Sequence, residues 1–421
     1  MGIASGADAP PLKILISGGG IAGQAAAYWL ARGGHRVVVA ERAAELRATG
    51  AQIDLRGQGI TAIERMGLLD AVRSNRVHEP GVAFVDSRGR RWGTIMANTS
   101  GQGRQTLTSE FEIMRGDLVR ILHDAVDDRA DFIYGNGVGR FAQDGQRVTA
   151  YFSDGTAEDF DLLIGADGQG SRIRRGMLPA GAAEPYRPVG IHMAYWFIPR
   201  TERDSDMRET YSAPGGRMIM RRSHNAAETQ VYFALWEQSA EASAIHRQPV
   251  EEQQQFWAGR FRDAGWQTER FLAGMATSGF FYSQEVLQVR IDTWSTGRVV
   301  LVGDAGYCPS PYSGMGTSAA LAGAYVLAGE INRNPGDLTA ALAAYESTLR
   351  PFVERVQAEV NPRILRVGFP RTRLGAGALR TMGAAGSFLR LPELVARFAR
   401  EDRGGQWPLP QYPEPATSVG E

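Results

Sequence analysis

Residues 12–42 read LKILISGGGIAGQAAAYWLARGGHRVVVAER, and this stretch decides the fold. Leu12 to Ser17 is a short apolar run of strand length. The glycines Gly18, Gly19 and Gly20 follow, then a small-residue helix from about Ile21 to Arg32 that Gly33-Gly34 ends, then a second strand through Val37-Val38-Val39. The spacing Gly18, Gly20, Gly23 matches the G-x-G-x-x-G pattern, placed directly after a strand and at a helix start. Gly18 permits a tight turn, Gly20 lets the backbone approach a pyrophosphate, and Gly23 lets the helix lie close to the strand. The first turn of that helix, with Ile21 and Ala22, then offers free N–H groups and the positive end of the helix dipole to an anion. Glu41, at the end of the second strand, is placed to accept hydrogen bonds from ribose hydroxyls. The unit predicts dinucleotide binding.

Two further apolar runs, Phe160 to Ala166 and Arg298 to Val302, open into glycine-containing loops as buried parallel strands do. Between them the pattern becomes antiparallel. Residues 82–95 alternate around Ser87-Arg88-Gly89, 148–153 and 157–163 flank Asp154-Gly155, and 189–236 is rich in Tyr, Trp, Phe and Met. Residues 249–264 read as a polar helix, 338–360 as a long helix and 384–400 as a basic, apolar helix. From Gly404 on, Pro and Gly predict a loose tail. The fold class is therefore α/β: a Rossmann-like nucleotide domain with an inserted sheet-rich domain and a C-terminal helix. The expected boundaries are 10–80, 112–186 and 282–360 for the nucleotide domain, 81–111 and 187–281 for the substrate domain, 361–403 for a bridging helix region, and 404–421 for the tail.

Composition narrows the function. The 421 residues are 43% hydrophobic and 22% charged, with 46 basic residues balancing 46 acidic ones, so nothing draws the chain toward nucleic acid. Lys13 is the only lysine, so any mechanism that needs a buried lysine has one candidate. The lone cysteine, Cys308, excludes a disulfide framework and a cysteine-type zinc site; no metal site is expected. The long uncharged run from Ala305 to Gly329 is broken by Pro309, Pro311 and many glycines, so no membrane span is expected. With no basic leader pattern at the start, a cytoplasmic protein is expected, as a monomer or weak dimer.

Two more segments identify the dinucleotide. Asp161 to Arg172 carries Asp167-Gly168 at a strand end, and Val302 to Gly316 places Asp304 at another, before a Pro/Gly loop and a helix. With the glycine fingerprint, these three ordered motifs resemble those of FAD-dependent aromatic monooxygenases of the p-hydroxybenzoate hydroxylase type, over about residues 12–360. Met114-Arg115-Gly-Asp-Leu118 is similar to the family's arginine-bearing helix start. Gly50-Ala-Gln-Ile-Asp54-Leu with Gly59 and Met66-Gly67-Leu68 is similar to its flavin-side loop and helix. These last segments are most similar to tetracycline-inactivating and natural-product tailoring members.

The resemblance implies FAD as cofactor and NADPH or NADH as transient reductant. It implies Asp304 on the ribityl chain, and the helix after Pro311, Gly314, Met315 and Gly316 aimed at the flavin pyrimidine edge. It further implies Arg115 at the ribityl or phosphate region, Asp54 beside the flavin, Arg42 at the adenosine, Arg47 at an NADPH phosphate, and Asp167 in the cofactor site. Tyr307 stands where relatives often carry histidine. The reaction implied is hydroxylation by O2, through a flavin C4a-hydroperoxide, of an aromatic or polyketide-like small molecule. No side-chain nucleophile is required. Met193, Tyr195, Arg217 and Tyr232, on the aromatic strands, are the pocket candidates, and period 2 leaves open which sheet face meets the flavin. Baeyer–Villiger or epoxidising oxygen insertion, or a non-catalytic FAD-binding sensor, are the alternatives. Trp196-Phe197-Ile198-Pro199 partly resembles a flavin-halogenase signature, but Ala194 replaces its first tryptophan and the halogenase lysine is missing from its place.

Overall fold

Lys13–Ser17 pairs in parallel with Arg36–Glu41 on one side and Leu162–Gly165 on the other, and Leu162–Gly165 pairs in parallel with Val299–Leu301. The three apolar runs separated by some 150 residues of chain are thus neighbours in one sheet. Ala130–Tyr134 and the short Ser295–Thr296 complete it to six strands. Because the strands are parallel, the loops after Ser17, Gly165 and Leu301 leave from the same edge, where open α/β sheets bind their ligands. The computed structural model describes residues 10–97, 111–334, 336–388 and 407–413.

Against this sheet lie Ile21–Arg32 and Gly316–Arg333, two helices rich in Ala and Gly. Ala25, Ala26, Ala27, Ala322 and Ala324 are fully buried between the layers, and small side chains let the helix axes approach closely. Leu338–Ala358 packs on the second of these helices, and a three-stranded antiparallel sheet (Val138–Gln143, Val148–Phe152, Ala157–Phe160) covers the opposite face.

The second sheet has seven strands, in the order Phe281–Val289, Tyr186–Pro199, Glu228–Trp236, Arg217–Ser223, Arg208–Ala213, Gly81–Val85, Arg91–Met96. Its last strand in sequence continues past 281 to Val289, so the sheet itself runs beyond the boundary expected there. Ala194, Trp196 and Ile198 point to the back face, into a core closed by the helices Val250–Phe261 and Thr268–Thr277. Trp196 Nε1 donates to the Phe271 carbonyl at 3.1 Å, and Phe233 stacks on Phe261 at 4.2 Å between centroids. Met193, Tyr195 and Phe197 take the front face by the same alternation.

The C-terminal region differs from expectation. A helix starts at Arg373 and runs to Phe388, and packs on Trp92 of the second sheet, where a Cβ on Gly383 would lie 2.1 Å from the indole. Most of the helix expected over 384–400 lies outside the described residues. The expected loose tail is corrected for residues 407–413. Trp407 stacks on Phe352 at 5.0 Å, Leu409 is buried, and the Tyr412 hydroxyl donates to Glu330 Oε1 at 2.7 Å. Gly329 opens the slot, since a Cβ there would sit 2.3 Å from the Tyr412 ring. Three apolar side chains among prolines carry too weak a periodic signal to be read as docked, yet each finds a slot in the core.

Candidate active site

The glycine loop takes the form its spacing requires. Gly18 has φ of +112°, and a Cβ there would lie 2.6 Å from the Ala166 carbonyl oxygen on the neighbouring strand. A Cβ on Gly23 would lie 1.9 Å from the Gly18 oxygen, so the helix can rest on the loop only with glycine there. Gly20 is the N-cap of Ile21–Arg32, which has no side-chain cap and no acidic residue in its first turn. Its first N–H groups are left for a ligand anion. Ala22 is buried and meets the third motif, for a Cβ on Gly303 would stand 2.9 Å from its own Cβ.

Glu41 accepts from the Gly19 N–H through Oε2 and from the Ala43 N–H through Oε1, both at 2.9 Å. A carboxylate accepts about four hydrogen bonds, so these contacts fix its direction and leave capacity for ribose hydroxyls. Asp167 lies next to Gly18. Its Oδ2 accepts from the Arg172 N–H at 2.7 Å and the Ile173 N–H at 3.3 Å, while buried Oδ1 finds no partner among the described residues. A buried acceptor without a donor beside a phosphate-binding turn fits a ligand hydroxyl or N–H. The Arg172 side chain is exposed; the buried arginine of this turn is Arg174, which grips Glu184, the Ala305 carbonyl and the Gln169 carbonyl.

Asp304 heads the short helix Asp304–Tyr307, and a Cβ on Gly316 would come within 4.0 Å of its Oδ1, so the carboxylate sits by the start of Gly316–Arg333. Burial pushes its pKa up, while a hydrogen bond with Cys308 and the charge of Arg115 pull it back. Pro311 opens a tight turn, Gly314 ends it with φ of +64°, and Met315, fully buried, is the N-cap of the long helix. Tyr307 is packed away in the core against Tyr345, hydroxyl to hydroxyl at 3.1 Å, and burial raises it to about 12.

Arg115 closes the other side. Its Nη1 donates to the Thr49 carbonyl at 2.9 Å and the Arg47 carbonyl at 3.2 Å, and its Nη2 lies 3.3 Å from where a Gly20 Cβ would be. It therefore ties the 47–50 segment over the glycine loop. Arg42 and Arg47 are exposed, and Asp54 pairs with Arg56 in the strand Gln52–Asp54.

The front face of the seven-stranded sheet turns toward this assembly. Cross-strand register aligns Tyr282, Tyr195, Tyr232, Met220 and Thr210 in one row over five strands, and Gln284, Met193, Ala234 and Met218 in the next. Tyr195 stacks on Tyr232 at 5.3 Å and lies against Tyr282 at 5.5 Å. Burial raises Tyr195, with Arg115 among the nearby charges, and it raises Tyr282, with Asp304 nearby. Met193, Tyr195 and Tyr232 are thus brought to the nucleotide side. Arg217 is not, and this corrects the expectation. Its alternation puts it on the back face, where it pairs with Asp263 at 2.6 Å and stacks on Phe261.

Sequence reading missed a buried polar cluster below the tyrosines. Arg222 holds Glu79 with two hydrogen bonds, at 2.8 and 2.9 Å, and also pairs with Glu112. Gln52 bonds to Glu112 and to Gln230, and the Tyr232 hydroxyl donates to Gln230 Oε1 at 2.7 Å. The only available signal was that Arg222 shares the parity of Met218 and Met220. Burial pushes Glu112 up to about 7 from 4.5, against the pull of Arg222. Between those values the folded protein holds more protons than the unfolded chain, so the group's contribution to stability falls as pH rises. Glu112→Gln is expected to match wild type near pH 5 and to exceed it by about 1–2 kcal/mol at pH 8, measured by denaturant unfolding.

The comparisons agree with this geometry. The FAD binding domain family matches residues 11–359. The FAD-dependent monooxygenase asL6 of Sarocladium schorii is 36% identical over 421 residues, covering 96% of this chain and 98% of its own length. The flavin-dependent monooxygenase eupH of a Phoma species is 38% identical over 400 residues, covering 89% and 92%. Among solved structures, the tetracycline destructase Tet(51) superposes with a TM-score of 0.77 at 30% identity, over 96% of this chain and all of its own. Klebsiella pneumoniae HpxO, crystallised with FAD and uric acid, shares the fold at a TM-score of 0.70 and 22% identity, over 91% of this chain and 96% of its own. Among the described residues no helix is long and apolar enough to cross a membrane. The three strand-end motifs, the unpartnered Asp167 oxygen and the family match lead to one conclusion: the chain belongs to the FAD binding domain family and is an FAD-dependent monooxygenase.

Proposed function

We propose that this enzyme hydroxylates an aromatic or polyketide-like small molecule held between the front face of the seven-stranded sheet and the Asp304–Gly316 loop. The observation that carries this reading is the row Tyr282, Tyr195, Tyr232 and Met220, a flat, polarizable surface that faces the Arg115 and Asp304 side of the cleft. Such a face suits a planar ring, which gains from stacking as well as from area buried.

FAD, when bound, supplies the two-electron reduction and O2 activation that no side chain here can perform. Gly18, Gly20 and Gly23 let its pyrophosphate approach, Glu41 and Asp167 offer acceptors, and Arg115 with the start of Gly316–Arg333 supplies positive potential where negative charge collects. The aromatic row keeps water from the reacting carbon and sets the angle of the substrate ring. The reaction balances as substrate C–H, O2, NADPH and a proton going to the hydroxylated product, NADP⁺ and water. Arg47, exposed beside Arg115, is the group we assign to a phosphate of the reductant.

The test is NADPH oxidation by FAD-loaded protein, with and without a panel of phenols, indoles and polyketides. The expected result is faster oxidation with one class, and a product heavier by one oxygen drawn from O2. Identical rates with every compound, with all electrons recovered as hydrogen peroxide, would overturn the proposal.

A further inference from the structure

A line of polar groups on the back of the seven-stranded sheet forms one continuous hydrogen-bonded chain, remote from the glycine loop and the Asp304 loop. Trp257 Nε1 donates to Ser283 Oγ at 2.9 Å, and Ser283 Oγ lies 2.7 Å from His246 Nδ1. His246 Nε2 lies 2.9 Å from His192 Nδ1, and His192 Nε2 lies 3.0 Å from the Glu237 carbonyl oxygen. The two ends set every hydrogen between them. A carbonyl only accepts, so a neutral His192 carries its hydrogen on Nε2 and leaves Nδ1 bare. His246 Nε2 then donates to that nitrogen, its own Nδ1 accepts from the Ser283 hydroxyl, and the serine oxygen accepts from the indole. With both rings neutral, each donor meets an acceptor.

The chain joins two layers. His192 lies in Tyr186–Pro199 and Ser283 in Phe281–Val289, whereas His246 lies in the tight turn Ile245–Arg247 and Trp257 in the helix Val250–Phe261. The same two strands carry Tyr195 and Tyr282 on the front face. His192 and Trp257 are fully buried, and the two imidazoles stack at 5.2 Å between centroids. An added proton forces Ser283 to accept from both sides and strands its own hydrogen, and a second sets ring N–H against ring N–H. Among the described residues no carboxylate bonds either ring. Glu285, opposite His192 in register, accepts from Ser243, while Glu237 and Glu241 are held by Arg260; Arg247, beside His246, is exposed. Burial lowers His192 despite the charges of Glu285 and Glu237, and burial with the nearby His192 pushes His246 down to about 3. A cleft of about 280 Å³, lined by Glu237, Ser243 and Glu285, opens beside the chain and gives protons a path from solvent.

We propose that the His192–His246 chain is an acid-sensitive latch: neutral, it holds residues 240–277 against the back of the sheet, and protonation releases them and loosens the two strands whose other face carries Tyr195 and Tyr282. The latch goes beyond the hydroxylase reading and does not depend on it. Both rings are held below the ordinary 6.5, so the released segment binds more protons than the closed one. The latch is therefore fully present above about pH 6.5 and is lost as pH falls. Glu112, in the cluster with Arg222, acts in the opposite sense, since its proton uptake favours the folded state. Overall unfolding mixes the two groups, and a local measurement separates them.

The experiment is amide hydrogen exchange on the FAD-loaded protein at pH 7.5 and 5.5, corrected for the intrinsic pH dependence of exchange. Protection in Val250–Phe261 and Phe281–Val289 is expected to fall about tenfold if release lets one histidine take up a proton, and about a hundredfold if both do. Lys13–Ser17, in the nucleotide sheet, should keep its protection. His246→Gln removes one titrating ring and should shrink the fall by about tenfold. A second measurement needs no variant: nitrogen NMR of histidine-labelled wild-type protein should find both rings with hydrogen on Nε2 and none on Nδ1 at pH 7.5, and still so at pH 5.5. An absent fall, a fall shared equally by Lys13–Ser17, or one unchanged in His246→Gln overturns the proposal. So does either ring carrying its hydrogen on Nδ1 or titrating near pH 6.5.

Discussion

Gly23→Val is expected to give a protein that no longer retains FAD. The Cβ alone would stand 1.9 Å from the Gly18 carbonyl oxygen and 3.3 Å from an Ile16 methyl, and neither neighbour is a flexible side-chain tip. Relief requires the helix Ile21–Arg32 to lift off the strand Lys13–Ser17. That moves its N–H groups away from the pyrophosphate and opens the Ala-lined seam against Gly316–Arg333. Overpacking of this kind costs about 3 kcal/mol, or roughly 100-fold in FAD affinity if the whole strain falls on binding. Fluorescence titration of FAD into apoprotein measures it. Gly20→Ala is the informative contrast, because the added Cβ would meet only the tip of Arg115, at 3.3 Å. That variant should fold with wild-type stability and lose about tenfold in FAD affinity, because the methyl occupies the path of the phosphate. Wild-type FAD affinity in Gly23→Val would show that the helix start does not carry the pyrophosphate.

The second large effect is expected from Arg222→Met. The methionine fills most of the volume and leaves Glu79 and Glu112 buried without the cation that both share. Removing one partner of a buried ion pair costs about 3–5 kcal/mol, because the surviving charges remain desolvated. The location raises the consequence. Glu79 lies before the strand Gly81–Val85, Glu112 lies in the strand Glu112–Met114 beside the nucleotide domain, and Arg222 lies in the second sheet, so the cluster ties three separated segments together. Denaturant unfolding should show the loss, and it should be larger at pH 8 than at pH 5. At the lower pH Glu112 can take up a proton and relieve its own burial. Combining Arg222→Met with Glu112→Gln should recover part of the loss and flatten its pH dependence. A loss that is the same at both pH values would show that Glu112 stays ionised throughout.

Both effects arise at residues of very different legibility. Gly23 was readable because everything it does is local: a strand, a turn and a helix within about thirty residues, with spacing that admits one backbone path. The two later strand-end motifs were readable for the same reason, as short apolar runs ending in Asp-Gly and Gly-Asp. Arg222 was not, since its partners Glu79 and Glu112 lie 143 and 110 residues away and no local pattern couples them. Gln52 and Gln230, joined across 178 residues, are equally silent in the sequence.

The aromatic strands fall between these cases. Alternation put Met193, Tyr195 and Phe197 together and opposed them to Ala194, Trp196 and Ile198, and the structure keeps both sets. It could not say which set meets the cofactor, because period 2 defines two faces without naming an inside. Arg217, a pocket candidate by sequence, belongs to the back, beside Asp263. The sequence alone determined the α/β class, the parallel strands, dinucleotide binding and the strand-end carboxylates, since each depends on backbone geometry encoded over a few consecutive residues, whereas FAD itself followed from the resemblance of the three ordered motifs to a known family. The sheet face that turns to the nucleotide side and the arginine that holds both buried carboxylates were decided only by tertiary packing. These depend on which distant segments exclude water from one another, and that is a property of the folded chain as a whole.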